Sequence, residues 1–76
     1  MYSNVKAELS RYNLTVRQLA AYMNMTTQNV YNKLNGKVTI TTKDMQQIQS
    51  FFIEKAGGAF SLDYLFATNL TTNGGI

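Results

Sequence analysis

One helix-start pattern recurs four times along this chain, and it constrains the fold more than any other feature. In each copy a Ser or Thr follows an apolar residue, and a second apolar residue lies five positions after the first. The hydroxyl can cap the first turn of a helix, while the two apolar residues pack together as a hydrophobic staple. The pattern therefore predicts four helix starts, at Leu14-Thr15 with Leu19, Met25-Thr26 with Val30, Ile40-Thr41 with Met45, and Phe60-Ser61 with Leu65.

Two of these starts carry a further signal three residues after the cap. Gln18 can complete a capping box with Thr15. Asp44 follows Thr41 at the same spacing, where a carboxylate is favourable beside the positive end of the helix dipole. We also expect Ser3 to cap a helix at the beginning of the chain.

Helix ends are predicted at residues that tolerate the left-handed conformation, namely Asn13, Asn24, Gly36 and Gly57. Together with the caps they predict helices over roughly 4–12, 16–23, 27–35, 42–56 and 62–67. Apolar residues at helical spacing give each of these segments one face that needs a common core. The sequence predicts an all-α fold, a compact bundle of five short helices in one domain over residues 1–67, followed by a flexible tail over 68–76.

The segment 38–42 consists of β-branched residues and is compatible with a short strand. An extended loop is the preferred interpretation, because no partner strand is visible elsewhere in the sequence.

Composition argues against several classes of function. The chain has no cysteine and no histidine, and only four acidic residues. We therefore expect no enzyme activity, no metal site, no cofactor and no small-molecule substrate. No apolar run approaches the roughly 18–20 residues of a membrane span, and the N-terminus lacks the pattern of a signal peptide, so we expect a cytoplasmic protein without a membrane partner.

The charges are segregated in a way that the net charge of +3 understates. Five cations lie between residues 9 and 43, with no Asp or Glu among them: Arg11, Arg17, Lys33, Lys37 and Lys43. A basic stretch of this kind favours a polyanionic partner. A solvated basic surface is the alternative interpretation.

The second and third predicted helices are joined by a short turn, an arrangement that sets two helices at about 90–120°. If Val30 and Leu34 face the core, the opposite face of the third helix presents Gln28, Asn29 and Asn32, with Asn35 beside them. Carboxamides offer a donor and an acceptor together and can pair with adenine in the major groove. A neutral solvated helix surface is the alternative.

The segment 14–36 resembles the helix-turn-helix of the Cro and cI-type, or lambda repressor-like, phage repressors. The resemblance rests on Leu14, Thr15, Leu19, Ala20, Thr26, Val30, Asn35 and Gly36, and the later Leu62-Asp63-Tyr64-Leu65-Phe66 is similar to the closing helix of many members. Two positions depart from the family pattern. Val16 stands where many members carry a Gln that touches phosphate, and Asn24 replaces a frequent turn glycine.

The resemblance implies a sequence-specific transcriptional regulator, of repressor type and encoded by a phage or prophage, that binds double-stranded operator DNA in a bacterial host cell. Helix 27–35 would enter the major groove, and a homodimer would form at least on DNA. Base readout is expected from Thr27, Gln28, Asn29, Tyr31 and Asn32, phosphate contact from Arg17, Lys33, Lys37 and Lys43, and dimer contact from Phe60, Leu62 and Phe66. Tyr31 and the dimer residues could instead pack against the core.

Two other interpretations stay open from the sequence. The chain could be a protein-interaction module, such as an antirepressor or antitoxin-like partner, since one fold hosts several functions. It could also be a recombination accessory protein that bends DNA through the same contacts. Retention on random duplex with a steep dependence on salt would favour DNA binding over the protein module.

Overall fold

The computed structural model describes residues 2–58 and 60–67. In that part of the chain it has five α-helices and no strand: α1 Ser3–Arg11, α2 Val16–Met23, α3 Thr27–Leu34, α4 Thr42–Ala56 and α5 Leu62–Leu65. The predicted all-α bundle is confirmed. The predicted tail over 68–76 lies outside the described residues.

The four caps predicted from the recurring helix-start pattern are confirmed in atomic detail. The side-chain oxygens of Thr15, Thr26, Thr41 and Ser61 each accept a hydrogen bond, 3.1 Å long, from the backbone N–H three residues later. The α2 and α4 starts are full capping boxes, because Gln18 and Asp44 accept in return from the backbone N–H of the capping threonine. These local bonds fix where each helix begins.

Helices α1, α3 and α5 differ by one or two residues from their predicted bounds, and tertiary contacts accompany the differences at the start of α1 and the end of α5. Ser3 is the first residue of α1 and not its cap; the cap is Tyr2, whose backbone N–H donates to the carbonyl oxygen of Leu34 at 3.1 Å. The last helix, α5, ends at Leu65, two residues before the predicted end. There the ring of Phe66 packs edge-on against the ring of Tyr2, with 5.6 Å between centroids.

The predicted left-handed residues are confirmed as well. Positive φ angles of 61°, 59°, 82° and 73° occur at Asn13, Asn24, Gly36 and Gly57. Asn24 lets the chain reverse within residues 24–26, between the end of α2 and the start of α3. Its neighbour Met25 donates its N–H to the Ala20 carbonyl at 2.9 Å, which satisfies an acceptor at the end of α2.

The core takes residues from every helix. The largest side chains that are fully buried are Phe51, Phe52, Leu19, Leu34, Ile48, Leu65, Val5 and Val30. Helix α2 packs against α3 and α4, while α5 packs against α1 and α4. Helix α3 therefore lies on the outside of the bundle, and only one of its faces is needed by the core.

The loop between α3 and α4 forms no strand, but it is not an extended segment over 38–42: the chain turns and bends over residues 35–38, and Thr42 already belongs to α4. The side chain of Ile40 is buried and fixes this loop to the core. The backbone N–H groups of Lys37 and Val38 donate to the Asn32 carbonyl at 2.8 and 3.2 Å. These bonds hold the loop against the end of α3.

The aromatic rings proposed as a dimer surface pack mainly within the chain. The ring of Phe60 lies 5.2 Å from that of Phe52 and 5.9 Å from that of Tyr12, measured between centroids. Phe66 packs on Tyr2, and both phenylalanines are partly buried against the core cluster. The core interpretation accounts for both rings, and the dimer contact stays a prediction.

None of the helices in residues 2–58 and 60–67 combines the length and the apolar character needed to cross a bilayer.

Replacing Thr41 by alanine should lower the free energy of unfolding by about 1 kcal/mol, because the cap of α4 and one half of its capping box are lost. The adjacent exposed Thr42 is the matched control, since its side chain caps nothing. Thr42→Ala should change stability by less than about 0.5 kcal/mol. Urea unfolding of both variants measures the difference, and equal losses would refute the role of the cap.

Candidate nucleic-acid interface

Helix α3 is held by two residues and leaves its other face to solvent. Val30 is 1% exposed and Leu34 is 0% exposed. On the opposite face Gln28, Asn29 and Tyr31 are exposed. Thr27 and Asn32 are half-buried. We call the five residues predicted to read bases the α3 surface, since none of them is buried: Thr27, Gln28, Asn29, Tyr31 and Asn32.

Two carboxamides on the α3 surface are joined by a hydrogen bond. Gln28 Nε2 donates to Asn32 Oδ1 at 3.1 Å, one helical turn away. The bond leaves the Gln28 oxygen and the Asn32 amide group available to a ligand. The pair can thus accept with one side chain and donate with the other, the combination that an adenine edge requires.

Tyr31 is partly exposed at the edge of α3, a position compatible both with base readout and with packing at the core edge. Its side chain is 43% exposed. It borders a surface groove of about 460 Å³, together with Lys6 and Ser10 of α1 and Val16 at the start of α2. Tyr31 therefore connects the α3 surface to the N-terminal end of α2.

Lys33 is committed to an internal ion pair, which corrects its predicted role in phosphate contact. Its Nζ donates to Asp44 Oδ2 at 2.8 Å and to the Thr39 carbonyl at 3.3 Å. The side chains of Lys33 and Asp44 are only 12% and 7% exposed. The ammonium ties α3 to the first turn of α4, so it is not offered to a ligand.

The buried ion pair changes the pKa of the Asp44 carboxyl group. Burial raises its pKa, but hydrogen bonds from the Lys33 ammonium and from the backbone N–H and hydroxyl of Thr41 outweigh that effect, and the pKa lies below its ordinary value of 3.8. Asp44 thus closes a three-way contact between α3, the loop and α4. This contact fixes the direction in which α3 points.

The other three predicted phosphate-binding cations are exposed and unpaired. Within residues 2–58 and 60–67, Arg17, Lys37 and Lys43 have no carboxylate within ion-pair distance. Arg17 lies in the first turn of α2, Lys43 in the first turn of α4, and Lys37 in the loop just after Gly36. Their charge is therefore not cancelled by an ion pair in the part of the chain that the structure describes.

One more cation, which the charge pattern of the sequence did not indicate, borders this region. Lys6, on α1, donates from its Nζ to Asn35 Oδ1 at the end of α3. It lies outside the acid-free stretch and was overlooked for that reason. A signal was present, because Lys6, Ser10 and Asn13 share one polar face of the first helix at helical spacing.

Comparison of the chain with protein-family models, with curated proteins and with solved structures found no match.

Replacing Asp44 by asparagine should destabilise the fold at pH 7 by about 1–3 kcal/mol, because the Lys33 ammonium is left buried without its anion. The folded pKa of Asp44 is lowered, so its contribution is present above the unfolded pKa and is lost as the pH falls through the folded pKa. The difference between wild type and variant should therefore shrink below about pH 4.

Urea unfolding at several pH values measures this difference, with Glu54→Gln, an exposed acid on α4, as the charge-matched control. The control should lie within about 0.5 kcal/mol of wild type at every pH. A loss for Asp44→Asn that stayed constant from neutral to acidic pH would contradict the ion-pair account.

Proposed function

We propose that the protein is a sequence-specific regulator that binds double-stranded DNA and places α3 in the major groove. The observation that carries the proposal is the α3 surface. It presents adjacent carboxamides to solvent on a helix whose opposite face is fixed in the core. Such a helix can enter a groove without rearrangement of the fold, and its donor and acceptor groups meet base edges.

Electrostatics supports the same partner. Arg17, Lys37 and Lys43 add positive charge that no carboxylate among the described residues pairs with, while Asp44 is neutralised by Lys33. Cations of this kind supply the part of DNA affinity that does not depend on sequence. Exposed carboxamides alone would not distinguish DNA from a protein partner. Together with the unpaired cations, they favour DNA as the partner.

The resemblance to the lambda repressor-like regulators adds a specific expectation about the complex. A regulator of that kind would act on operator DNA in the cytoplasm of a bacterial host, as a homodimer on two half-sites about 34 Å apart. Val16 cannot supply the polar contact common in that family. Contacts at the start of α2 would then come from Arg17 and from backbone N–H groups that have no partner within the helix.

Gln28→Ala and Lys37→Ala should fail in different ways on DNA. Gln28→Ala should weaken binding to the preferred site by about 1–3 kcal/mol and relax the preference at one base pair, because a base contact is lost. Lys37→Ala should weaken binding to all sequences alike and reduce the slope of log affinity against log salt by about one unit.

The measurement is fluorescence anisotropy, on a site obtained by selection from random DNA and on a scrambled duplex, over a range of salt concentrations. Gln46→Ala on α4 and Lys55→Ala in the last turn of that helix are the matched controls, since both side chains are exposed outside α3. Equal losses on both duplexes for Gln28→Ala, or losses in the controls as large as in the test variants, would count against these roles.

The hydrogen bond between Gln28 and Asn32 predicts that the two residues act as a unit. In a double-mutant cycle with Gln28→Ala and Asn32→Ala, the losses in specific binding energy should be non-additive by about 0.5–3 kcal/mol. Each side chain positions the other. Either single substitution therefore already removes part of the binding energy that the other residue contributes. Additive losses in the same anisotropy assay would show that the two carboxamides work independently.

A further inference from the structure

A second surface feature lies between α1 and α5, apart from the α3 surface. It is an open cleft of about 690 Å³, lined by Glu8, Arg11, Tyr12, Phe60, Ser61 and Tyr64. Glu8 and Lys6 are two residues apart on α1 and so point to nearly opposite sides of that helix, since each residue turns it by about 100°. The cleft therefore lies on a different side of α1 from the contact that Lys6 makes with Asn35 at the end of α3.

The carboxylate of Glu8 lines the cleft, and one of its two oxygens has no hydrogen-bond partner among the described residues. Glu8 is only 5% exposed. Its Oε2 accepts from the Tyr64 hydroxyl at 2.6 Å and lies 3.7 Å from Nη1 of Arg11. Its Oε1 has no hydrogen-bond partner among the described residues. Among the described residues, every fully buried side-chain oxygen and nitrogen has a hydrogen-bond partner. Because Oε1 of Glu8 has no partner, it is not fully buried. Glu8 lines this cleft, so Oε1 is accessible from it.

Aromatic rings form the walls beside this carboxylate. Tyr12 and Tyr64 are 39% and 43% exposed, so part of each ring is open to a ligand. Phe60 holds the edge of Tyr12 at an interplanar angle of 84° and is itself anchored on Phe52. The Tyr64 hydroxyl is fixed by its bond to Glu8, which raises the pKa of Tyr64. The walls are therefore held in place before any ligand arrives.

We infer that this cleft binds the guanidinium group of an arginine side chain carried by a protein partner. A carboxylate with a free oxygen forms its strongest hydrogen bonds with a cationic donor. Exposed tyrosine faces attract a cation, and a planar guanidinium can stack on such a ring while it donates to Glu8 Oε1. The cleft is shallow, and a free small molecule usually needs most of its surface buried, so a side chain presented by a larger partner fits better.

The chain's own Arg11 does not fill this site. Its side chain is 69% exposed, and its distance of 3.7 Å to Glu8 is that of a loose ion pair with little energetic weight. A partner arginine that donates to Oε1 need not displace it. Arg11 does repel a second cation, so its removal should strengthen binding. This expectation separates the cleft from a site in which Arg11 takes part in recognition.

The test uses two-dimensional NMR of the full 76-residue chain, titrated with N-acetyl-L-arginine amide. N-acetyl-L-citrulline amide is the neutral control of the same shape. We expect the arginine probe to shift the amide signals of Glu8, Tyr12 and Tyr64 in a saturable way, and the citrulline probe to leave them unchanged. Glu8→Gln should weaken binding at least about tenfold, Tyr12→Leu should weaken it measurably, and Arg11→Gln should strengthen it.

Glu54→Gln removes an acid of the same charge outside the cleft and should leave the affinity unchanged. Each variant's thermal unfolding and amide spectrum show whether it is folded, and Tyr12→Leu tests the site even if Glu8→Gln does not fold. Equal responses to the two probes, no response at all, or a response that survives Glu8→Gln in folded protein would overturn the proposal. The proposal would also be overturned if the amide signals of the cleft residues shifted with protein concentration before any probe is added, because the cleft would then bind a second copy of the chain.

Discussion

The burial of Val30 and Leu34 is the constraint on which the rest of the molecule depends. These two side chains fix α3 on the outside of the bundle, and they decide which of its faces meets solvent. The Thr26 cap sets where the helix begins, and the Lys33–Asp44 pair holds its far end against α4. Rotation of α3 would expose two aliphatic residues and break a buried ion pair, so the outward position of Gln28, Asn29 and Asn32 is determined by the core.

Local chemistry made much of the fold predictable from the sequence. Thr15, Thr26, Thr41 and Ser61 cap helices as expected, because a hydroxyl reaches a backbone N–H within its own first turn. The left-handed residues were equally predictable, since few residue types adopt that conformation without strain. The errors occurred where distant contacts decide. Tyr2 replaces Ser3 as the first cap because its backbone N–H donates to the carbonyl oxygen of Leu34, a residue far from it in sequence.

The same distinction explains which parts of the candidate site were found. The outward position of Gln28 and Asn32 follows from helical periodicity, and the structure places them there. The pairing of Lys33 with Asp44 spans eleven residues and the α3–α4 loop, and no local pattern reports it. Glu8 was missed although a signal existed. It lies three residues after Val5, on the buried stripe of α1, where a carboxylate needs a partner such as the hydroxyl of Tyr64.

The central claim, that the α3 surface meets the DNA groove, is tested most directly by mapping amide chemical shifts as a duplex of about 20 base pairs, or two helical turns, is added in dilute buffer. The account predicts that the largest changes fall on residues 27–32 and on Arg17, Lys37 and Lys43, while Glu8 and Tyr64 in the α1–α5 cleft change little. It also predicts that these changes weaken as salt is added. The account would be contradicted if the duplex caused no chemical-shift changes at low salt, or if the changes were centred on another face and α3 was unaffected.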